Sequence, residues 1–162
     1  MMKQIIADTD YTTNKEEVRS IVRRILNRDY YDRSGLIYGF GHAVYTISDP
    51  RAELLRGLCQ QLADEQSCNY KFRFYELFEE TVKEEVFARR GKVIPANVDY
   101  YSGFAYDMLG IPEDLFTPLF AIARVAGWVA HNLENKLYDG KIMRPATKYV
   151  GEHCKFVPMD ER

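Results

Sequence analysis

Apolar residues recur at helical spacing through most of the chain, beginning with a stripe over residues 18–26. Its members fall on one face of a helix: Val18, Ile21, Val22, Ile25 and Leu26. Just before this stripe, residues 13–16 match a capping box, in which the Thr13 side chain accepts from the first free N–H groups and Glu16 reaches back. The pattern predicts an amphipathic helix with Thr13 as its N-cap.

Two more helices are predicted in the same way. Asp49 and Pro50 are typical of a helix start, with Asp49 as the N-cap and proline in the first turn. The residues expected to be buried on this helix are Leu54, Leu55, Leu58 and Leu62. A third helix is predicted over residues 70–89, ending at Gly91. Its expected inward face consists of Phe74, Leu77, Phe78, Val82 and Val86.

Helical signals continue to the C-terminal part, with a short helix over residues 98–109 and a long one over residues 117–138. The long helix is apolar on nearly every side, so we expect it to be buried on nearly every side. Its small-residue face consists of Ala123, Ala126, Gly127 and Ala130. So short a chain has little to surround it, which favours a partner subunit or a larger parent protein. With only a short extended piece expected near residues 148–150, the fold class is all-α.

Composition narrows the function classes. Apolar residues make up 46% of the 162 residues, enough for a core, and the formal net charge of −2 gives no footprint for nucleic acid or a membrane surface. No segment has the length of a transmembrane helix, and no signal peptide is evident. Cys59, Cys68 and Cys154 lack metal-ligand spacing, and Cys59 and Cys68 are expected to be free thiols. We therefore expect a cytoplasmic protein without a metal site, a nucleic-acid partner or a membrane partner.

Candidate chemistry begins at His42, which lies between Gly41 and Ala43, where the backbone can approach a ligand closely. An imidazole there can donate a hydrogen bond to a carbonyl oxygen; the alternative is a turn histidine bonded to the backbone. Arg51, in the first turn of the following helix, is either an anion ligand or an ordinary surface arginine.

Three more charged residues complete the candidate set. Asp99 is either a helix cap or a general base, shielded from water by bulky neighbours: Tyr100, Tyr101 and Phe104. Arg124 is the single charge in the apolar stretch of residues 118–130, so it must face an internal carboxylate or a ligand carboxylate. Arg144, taken alone, is typical of a surface residue. One imidazole, one carboxylate and several guanidinium groups suit an enzyme that acts on a small, multiply charged anion.

Four motifs, at residues 39–51, 97–103, 115–128 and 144–145, resemble those of citrate synthase in order and spacing. The resemblance covers residues 36–151. It implies the all-helical citrate synthase fold, present in part. Residues 1–112 would form most of the small domain, which binds substrate and CoA, and residues 113–162 the C-terminal segment of the large domain. It also implies an obligate homodimer.

The activity implied by the resemblance is the citrate-forming condensation of the tricarboxylic acid cycle, an acyltransferase reaction. Acetyl-CoA loses a methyl proton, the enol attacks the ketone of oxaloacetate, and hydrolysis of citryl-CoA releases citrate and CoA. Acetyl-CoA and CoA act as co-substrates, and no cofactor is bound permanently.

The resemblance also assigns roles to individual residues. Asp99 resembles the base, and His42 the group that polarises the ketone. Arg51 and Arg124 resemble the carboxylate-binding arginines, and Arg144 the one contributed across the dimer interface. The CoA adenine would contact the backbone of a short loop: Leu36, Ile37, Tyr38, Gly39, Phe40 and Gly41.

Two departures from the family pattern limit these expectations. The second catalytic histidine of the family lies upstream of everything present here, and Thr46 stands where many relatives carry a basic residue available to CoA phosphates. We therefore expect the 162 residues alone to be inactive. Two alternatives stay open: a 2-methylcitrate synthase that uses propionyl-CoA, and a helical module that dimerises or binds CoA without catalysis.

Overall fold

The structure is a computed structural model that describes residues 1–138 and Pro158. Within this part the chain contains no strand, which confirms the all-α prediction. The helices are α1 (Met2–Thr9), α2 (Lys15–Leu26), α3 (Pro50–Glu65), α4 (Asn69–Arg90), α5 (Val98–Met108), a short 3-10 helix (Glu113–Leu115) and α6 (Phe116–Leu137). The chain divides into two compact units, Met1–Pro118 and Leu119–Arg162.

The core of the first unit lies between α4 and α5 and is strongly aromatic. α3 packs on both of these helices, α2 packs on α4, and α1 packs on α2. Tyr100 is buried among the aromatic side chains, and its hydroxyl donates to the Tyr75 carbonyl at 2.9 Å. The buried aromatic residues of α4 and α5 are Phe72, Phe74, Tyr75, Phe78, Tyr100, Tyr101 and Phe104. This core holds the N-terminal end of α5 in place, and Asp99 lies in the first turn there.

Several predicted helix ends are confirmed. The Asp49 side chain accepts from the Arg51 N–H as the N-cap of α3, and Pro50 is the first residue of that helix. Gly91 ends α4 in the left-handed conformation, with φ of 60°. The predicted inward face of α2 is buried at Val18, Ile21, Val22 and Ile25, whereas Leu26 is only partly buried.

The predicted cap of α2 is wrong by one residue. Asn14, not Thr13, is the N-cap, and its side-chain oxygen accepts from the Glu16 N–H at 3.0 Å. Glu16 does not reach back to the cap, because its carboxylate pairs with Arg19 one turn later. Either Thr or Asn can cap a helix, so the sequence offered two adjacent candidates.

The two candidates for this cap can be separated by a matched pair of substitutions. Asn14→Ala is expected to lower the free energy of unfolding by about 1 kcal/mol, because a first-turn N–H loses its acceptor. Thr13→Ala is expected to change it by less than about 0.5 kcal/mol, the usual range for a surface substitution. Urea unfolding of both variants measures the difference, and equal losses would contradict the assignment of the cap.

The predicted inward face of α3 is wrong at two of its four leucines. Leu54 is 72% exposed and Leu58 is 52% exposed, whereas Leu55 and Leu62 are half-buried. The fully buried residues of α3 are Ala52, Cys59 and Ala63. The reason is packing: the aromatic side chains of α4 and α5 fill the space beneath α3, which leaves room only for small residues on its inner face. Cys59 approaches closely enough for its thiol to donate to the Tyr101 carbonyl at 3.3 Å.

Helix α6 lies within one residue of its predicted bounds, and none of its described residues is buried within this chain. Its burial against a partner subunit or the rest of a larger protein stays a prediction. Its exposed apolar side chains include Ile122, Val125, Trp128 and Leu133. An all-round apolar helix is covered only where other elements pack on it. Helix α1 has no counterpart among the predicted helices, and the extended piece predicted near residues 148–150 lies outside the described residues.

Candidate active site

His42 lies in the exposed loop that precedes α3, and backbone groups of this loop hold its ring. Its Nδ1 accepts from the Val44 N–H at 3.0 Å and from the Tyr45 N–H at 3.2 Å. A nitrogen that accepts carries no proton, so in the neutral imidazole the proton is on Nε2. The loop therefore fixes His42 as a hydrogen-bond donor through Nε2. The backbone bonding of the second alternative is thus observed, and the donor role of the first stays a prediction that this orientation allows.

Arg51 lies beside His42 and is tied to Asp49. The Asp49 carboxylate accepts from Arg51 Nε at 3.0 Å and from Arg51 Nη2 at 2.8 Å. Arg51 Nη2 is also 3.1 Å from His42 Nε2. Because both of these groups are N–H donors, their contact is not itself a hydrogen bond. A ligand oxygen within reach of both would accept from both, which suits a carboxylate or a polarised carbonyl.

The charges of this pair stabilise each other. Hydrogen bonding to Arg51 lowers the pKa of Asp49, although burial opposes the shift. Hydrogen bonding to Asp49 raises the pKa of Arg51, and the charges of Tyr45 and Asp99 contribute smaller effects in the same direction. Asp99 therefore lies near enough to Arg51 for their charges to interact.

A backbone bridge connects the His42 loop to the start of α5. Phe40 and Ala96 form an isolated antiparallel pair. The Asn97 N–H donates to the Gly39 carbonyl at 2.8 Å, and the Gly41 N–H donates to the Pro95 carbonyl at 2.8 Å. The Asn97 side-chain amide also donates to the Gly41 carbonyl at 3.0 Å. These bonds fix the residue before His42 relative to the helix that carries Asp99.

Asp99 lies in the first turn of α5, and its carboxylate is exposed. It is not the helix cap, because the Asn97 side chain accepts from the Asp99 N–H at 3.0 Å. The expected shielding of this carboxylate from water is wrong, because Asp99 is exposed while its bulky neighbours Tyr100, Tyr101 and Phe104 are buried in the core. The carboxylate is thus free to meet a ligand.

A cavity of about 580 Å³ lies next to Asp99 within the first unit. Asp99 lines it together with Tyr38 and Gly39, and Tyr75 and Tyr100 contribute aromatic surface. The cavity therefore joins the loop of residues 36–41 to the candidate base. Residues of α1, which the sequence pattern does not predict, form another wall.

The loop of residues 36–41 already uses part of its backbone internally. The Gly39 and Gly41 carbonyls accept from Asn97, and the Phe40 N–H donates to the Ile37 carbonyl at 3.3 Å. Ile37 is buried, whereas the side chains of Leu36 and Tyr38 are exposed. Only the remaining backbone groups of this loop can meet an adenine.

Gly39 and Gly41 both have positive φ, of 87° and 86°, yet their surroundings differ. A Cβ added at Gly39 would lie 3.0 Å from the Tyr100 Cβ and 3.2 Å from its Cα, whereas at Gly41 the nearest atom is 3.7 Å away. We expect Gly41→Ala to lower the free energy of unfolding by about 1–2 kcal/mol through backbone strain. We expect Gly39→Ala to lower it by about 1–3 kcal/mol more, because the new Cβ would overlap with Tyr100. Thermal unfolding of the two variants checks this order, which equal losses would contradict.

Two predicted carboxylate ligands do not belong to the first unit. Arg124 belongs to the second unit, where it is exposed and its guanidinium lies 4.8 Å from the centre of the Phe120 ring. Within this chain no described residue of α6 is buried, so the burial of Arg124 against an anion stays a prediction. Arg144 lies outside the residues that the structure describes.

Sequence reasoning misses the partners that hold these groups. The sequence pattern indicates Asp49 only as a cap, although the spacing in Asp49-Pro50-Arg51 also allows a carboxylate to reach the arginine side chain. Tyr45 is not among the predicted site residues, yet its ring lies 4.8 Å from that of His42 and 5.6 Å from the Arg51 guanidinium. Asn97 carries no predicted role, yet it caps α5 and anchors the loop.

The remaining sequence expectations concern thiols, metals and membranes. Cys59 and Cys68 are buried free thiols, as predicted, and burial raises the pKa of Cys59 to about 11. Cys154 lies outside the described residues. Within residues 1–138 no group of three or more His, Cys, Asp or Glu side chains is arranged to hold a metal ion. In the same residues, every helix is too short or too polar to cross a lipid bilayer.

Comparison with known proteins identifies the family of this chain. The family model described as citrate synthase, C-terminal domain, matches residues 1–146. The citrate synthase of Synechocystis sp. is 50% identical over 129 residues, covering 78% of this chain and 31% of that protein. The 2-methylcitrate synthase 1 of Corynebacterium glutamicum is 39% identical over 132 residues, covering 81% and 33% respectively.

Solved structures agree as well. The citrate synthase of Thermoplasma acidophilum, in a ternary complex with carboxymethyl coenzyme A and oxaloacetate, matches with a TM-score of 0.62 and 31% identity. That match covers 97% of this chain and 40% of the other. This chain spans about a third of the length of the curated relatives it matches. With nine-tenths of its residues matched by the family model, the chain belongs to the citrate synthase family.

Proposed function

We propose that this chain is part of a citrate synthase that condenses acetyl-CoA with oxaloacetate to give citrate and CoA. The observation that carries the proposal is the pair of N–H donors, His42 Nε2 and Arg51 Nη2, 3.1 Å apart beside the helix that bears Asp99. The pair offers an oxygen-rich anion two donors, and the nearby carboxylate can remove a proton.

In this proposal the residues divide the work of the condensation. His42 donates to the ketone oxygen of oxaloacetate, which makes the carbonyl carbon a better electrophile. Arg51 and Arg124 bind its carboxylates, and Arg144 does so from the partner of a homodimer. Asp99 accepts a methyl proton from acetyl-CoA, and the resulting enol attacks the polarised ketone. An ordinary carboxylate is a weak base for a carbon acid, so the developing enolate oxygen must be stabilised at the same time.

The cavity beside Asp99 gives the acyl donor a path to the base. Tyr38 and Gly39 line it from the loop that would contact the CoA adenine through its remaining backbone groups. We place the thioester arm of acetyl-CoA along this cavity, with its methyl group toward Asp99. Water then hydrolyses the thioester of citryl-CoA, which releases citrate and CoA as products, so no permanently bound cofactor is required.

Two further features support a homodimer and a cytoplasmic location. The exposed apolar side chains of α6 supply the kind of surface that a homodimer covers. Free, buried thiols at Cys59 and Cys68 suit a reducing compartment such as the cytoplasm.

The proposal is tested with the chain itself and with a chimera. The chimera joins residues 1–162 to the portion of the Synechocystis citrate synthase that the match leaves uncovered. We expect no condensation by the 162 residues alone, because the family's other catalytic histidine is supplied from outside them. We expect the chimera to release CoA from acetyl-CoA only when oxaloacetate is present.

Each outcome of this assay has a definite consequence. Condensation by the 162 residues alone would overturn the claim that they are inactive. A folded, dimeric chimera without oxaloacetate-dependent CoA release would instead favour a helical module that dimerises or binds CoA without catalysis.

A second candidate acyl donor is propionyl-CoA, because one relative carries the name 2-methylcitrate synthase at 39% identity. The groups proposed to bind oxaloacetate and to remove the proton can act on either thioester. Acetyl-CoA and propionyl-CoA differ by one methylene. Such a difference is worth about 10- to 200-fold in specificity in a pocket that fits one of them. The kcat/KM of the chimera for acetyl-CoA and for propionyl-CoA decides between the two.

A further inference from the structure

We propose that Asp49 is a positioning residue that sets the orientation in which Arg51 meets the dicarboxylate substrate. The inference rests on the proposed function, since it assumes that Arg51 binds a carboxylate of oxaloacetate. It assigns Asp49 a role beyond that of a helix cap.

The Asp49 carboxylate is buried and makes three hydrogen bonds, all to Arg51. Its Oδ1 accepts from the Arg51 backbone N–H and from Arg51 Nε, both at 3.0 Å, and its Oδ2 accepts from Arg51 Nη2 at 2.8 Å. The residue is only 1% exposed, so these bonds are sheltered from water. Capping requires only one acceptor, as Asn14 and Asn97 illustrate with a single amide oxygen each. The second oxygen and the charge of Asp49 serve the guanidinium.

This arrangement determines which edge of Arg51 a ligand can use. A guanidinium offers two bidentate edges, one formed by Nε and Nη2 and the other by Nη1 and Nη2. Asp49 occupies the first edge completely. The second edge therefore remains for a substrate carboxylate, and its Nη2 lies 3.1 Å from His42 Nε2. One oxygen-rich ligand can then accept from Arg51 and His42 together.

Without the carboxylate, Arg51 has little to hold it. Its side chain is 45% exposed, and its other neighbours are His42 Nε2, which cannot accept a hydrogen bond from it, and the Tyr45 ring at 5.6 Å. A long exposed side chain of this kind samples many rotamers, and ordering it on binding weakens affinity. The edge that Asp49 now occupies would also be open to the ligand, which shifts the carboxylate away from His42.

The test compares Asp49→Asn and Asp49→Ser in the chimera, with and without Arg51→Ala. Both substitutions keep an oxygen that can cap α3, but neither can bind the guanidinium bidentately as an anion. We expect each to raise KM for oxaloacetate about 10-fold, the order of effect of one lost charge-assisted hydrogen bond. In the Arg51→Ala background we expect no further rise, because the residue through which Asp49 acts is gone.

A matched control and a direct readout complete the design. Asn14→Ala removes the cap of α2, away from the site, and is expected to lower the melting temperature without changing KM. In nitrogen-15 NMR spectra of the 162-residue chain, the Arg51 Nε–H signal is expected to exchange slowly with water and to be lost in Asp49→Asn.

The outcomes separate this inference from the proposed function. A rise in KM that is equally large in the Arg51→Ala background would overturn the positioning role, as would unchanged KM in both Asp49 variants. Persistence of the protected Arg51 Nε–H signal in Asp49→Asn would overturn it as well. A further outcome is that Arg51→Ala itself leaves KM for oxaloacetate unchanged while the Nε–H signal still depends on Asp49. That outcome would show that Asp49 orients Arg51 but that Arg51 does not bind oxaloacetate, which contradicts the proposed function and not the contact between the two residues.

Discussion

Replacement of Asp99 by Asn is expected to lower kcat of the chimera by about 10²- to 10⁴-fold, the usual contribution of a general base. The side chain keeps its shape and its place in the first turn of α5, but an amide cannot accept the methyl proton of acetyl-CoA. KM for oxaloacetate should change little, since the donors proposed for that substrate are His42 and the arginines. Release of the CoA thiol at saturating acetyl-CoA measures the loss.

The control for this prediction is Glu17→Gln. Glu17 is also an exposed carboxylate in the first turn of a helix, α2, so its loss removes a similar interaction with the helix dipole. We expect kcat to be unchanged in this variant. A decrease in Asp99→Asn no larger than that of Glu17→Gln, or one confined to KM for oxaloacetate, would show that Asp99 is not the base.

Local signals in the sequence predicted most of the helices because they act over a few residues. Asp49 with Pro50 and the glycine at position 91 identified helix ends correctly, since each satisfies a local need of the backbone. The inward face of α3 could not be predicted in this way. Leucines at helical spacing point to burial, but which face is covered depends on the large side chains of α4 and α5, distant in sequence.

The site shows the same division between local and distant determinants. The orientation of His42 depends on N–H groups two and three residues away, so it is encoded locally. The proximity of its loop to α5 depends instead on backbone bonds between residues 56 positions apart, such as that between Asn97 and Gly41. Every residue has the same backbone groups, so such bonds leave no pattern in the sequence. Only the order of the family motifs indicated that these segments lie close together.

Replacement of His42 by Ala is expected to lower kcat/KM for oxaloacetate by about 10²- to 10³-fold, the cost typical of removing one preorganised donor to a developing oxyanion. The ring is held at Nδ1 by two backbone N–H groups, so Nε2–H is already directed when the substrate arrives. His42→Gln retains an N–H donor on a flexible side chain that these bonds do not hold in the same way. We therefore expect its loss to be intermediate.

The control is His131→Ala, which removes an exposed imidazole of α6 to which the proposal gives no role. Its kcat/KM should stay within twofold of the unsubstituted chimera, while melting temperatures verify that all variants are folded.

The two donors beside each other make a further distinction possible. If His42 polarises the ketone, a competing dicarboxylate without a ketone, such as succinate, binds His42→Ala and the unsubstituted chimera almost equally. If His42→Ala weakens both ligands alike, the imidazole only binds a carboxylate, and its role in the chemical step is excluded.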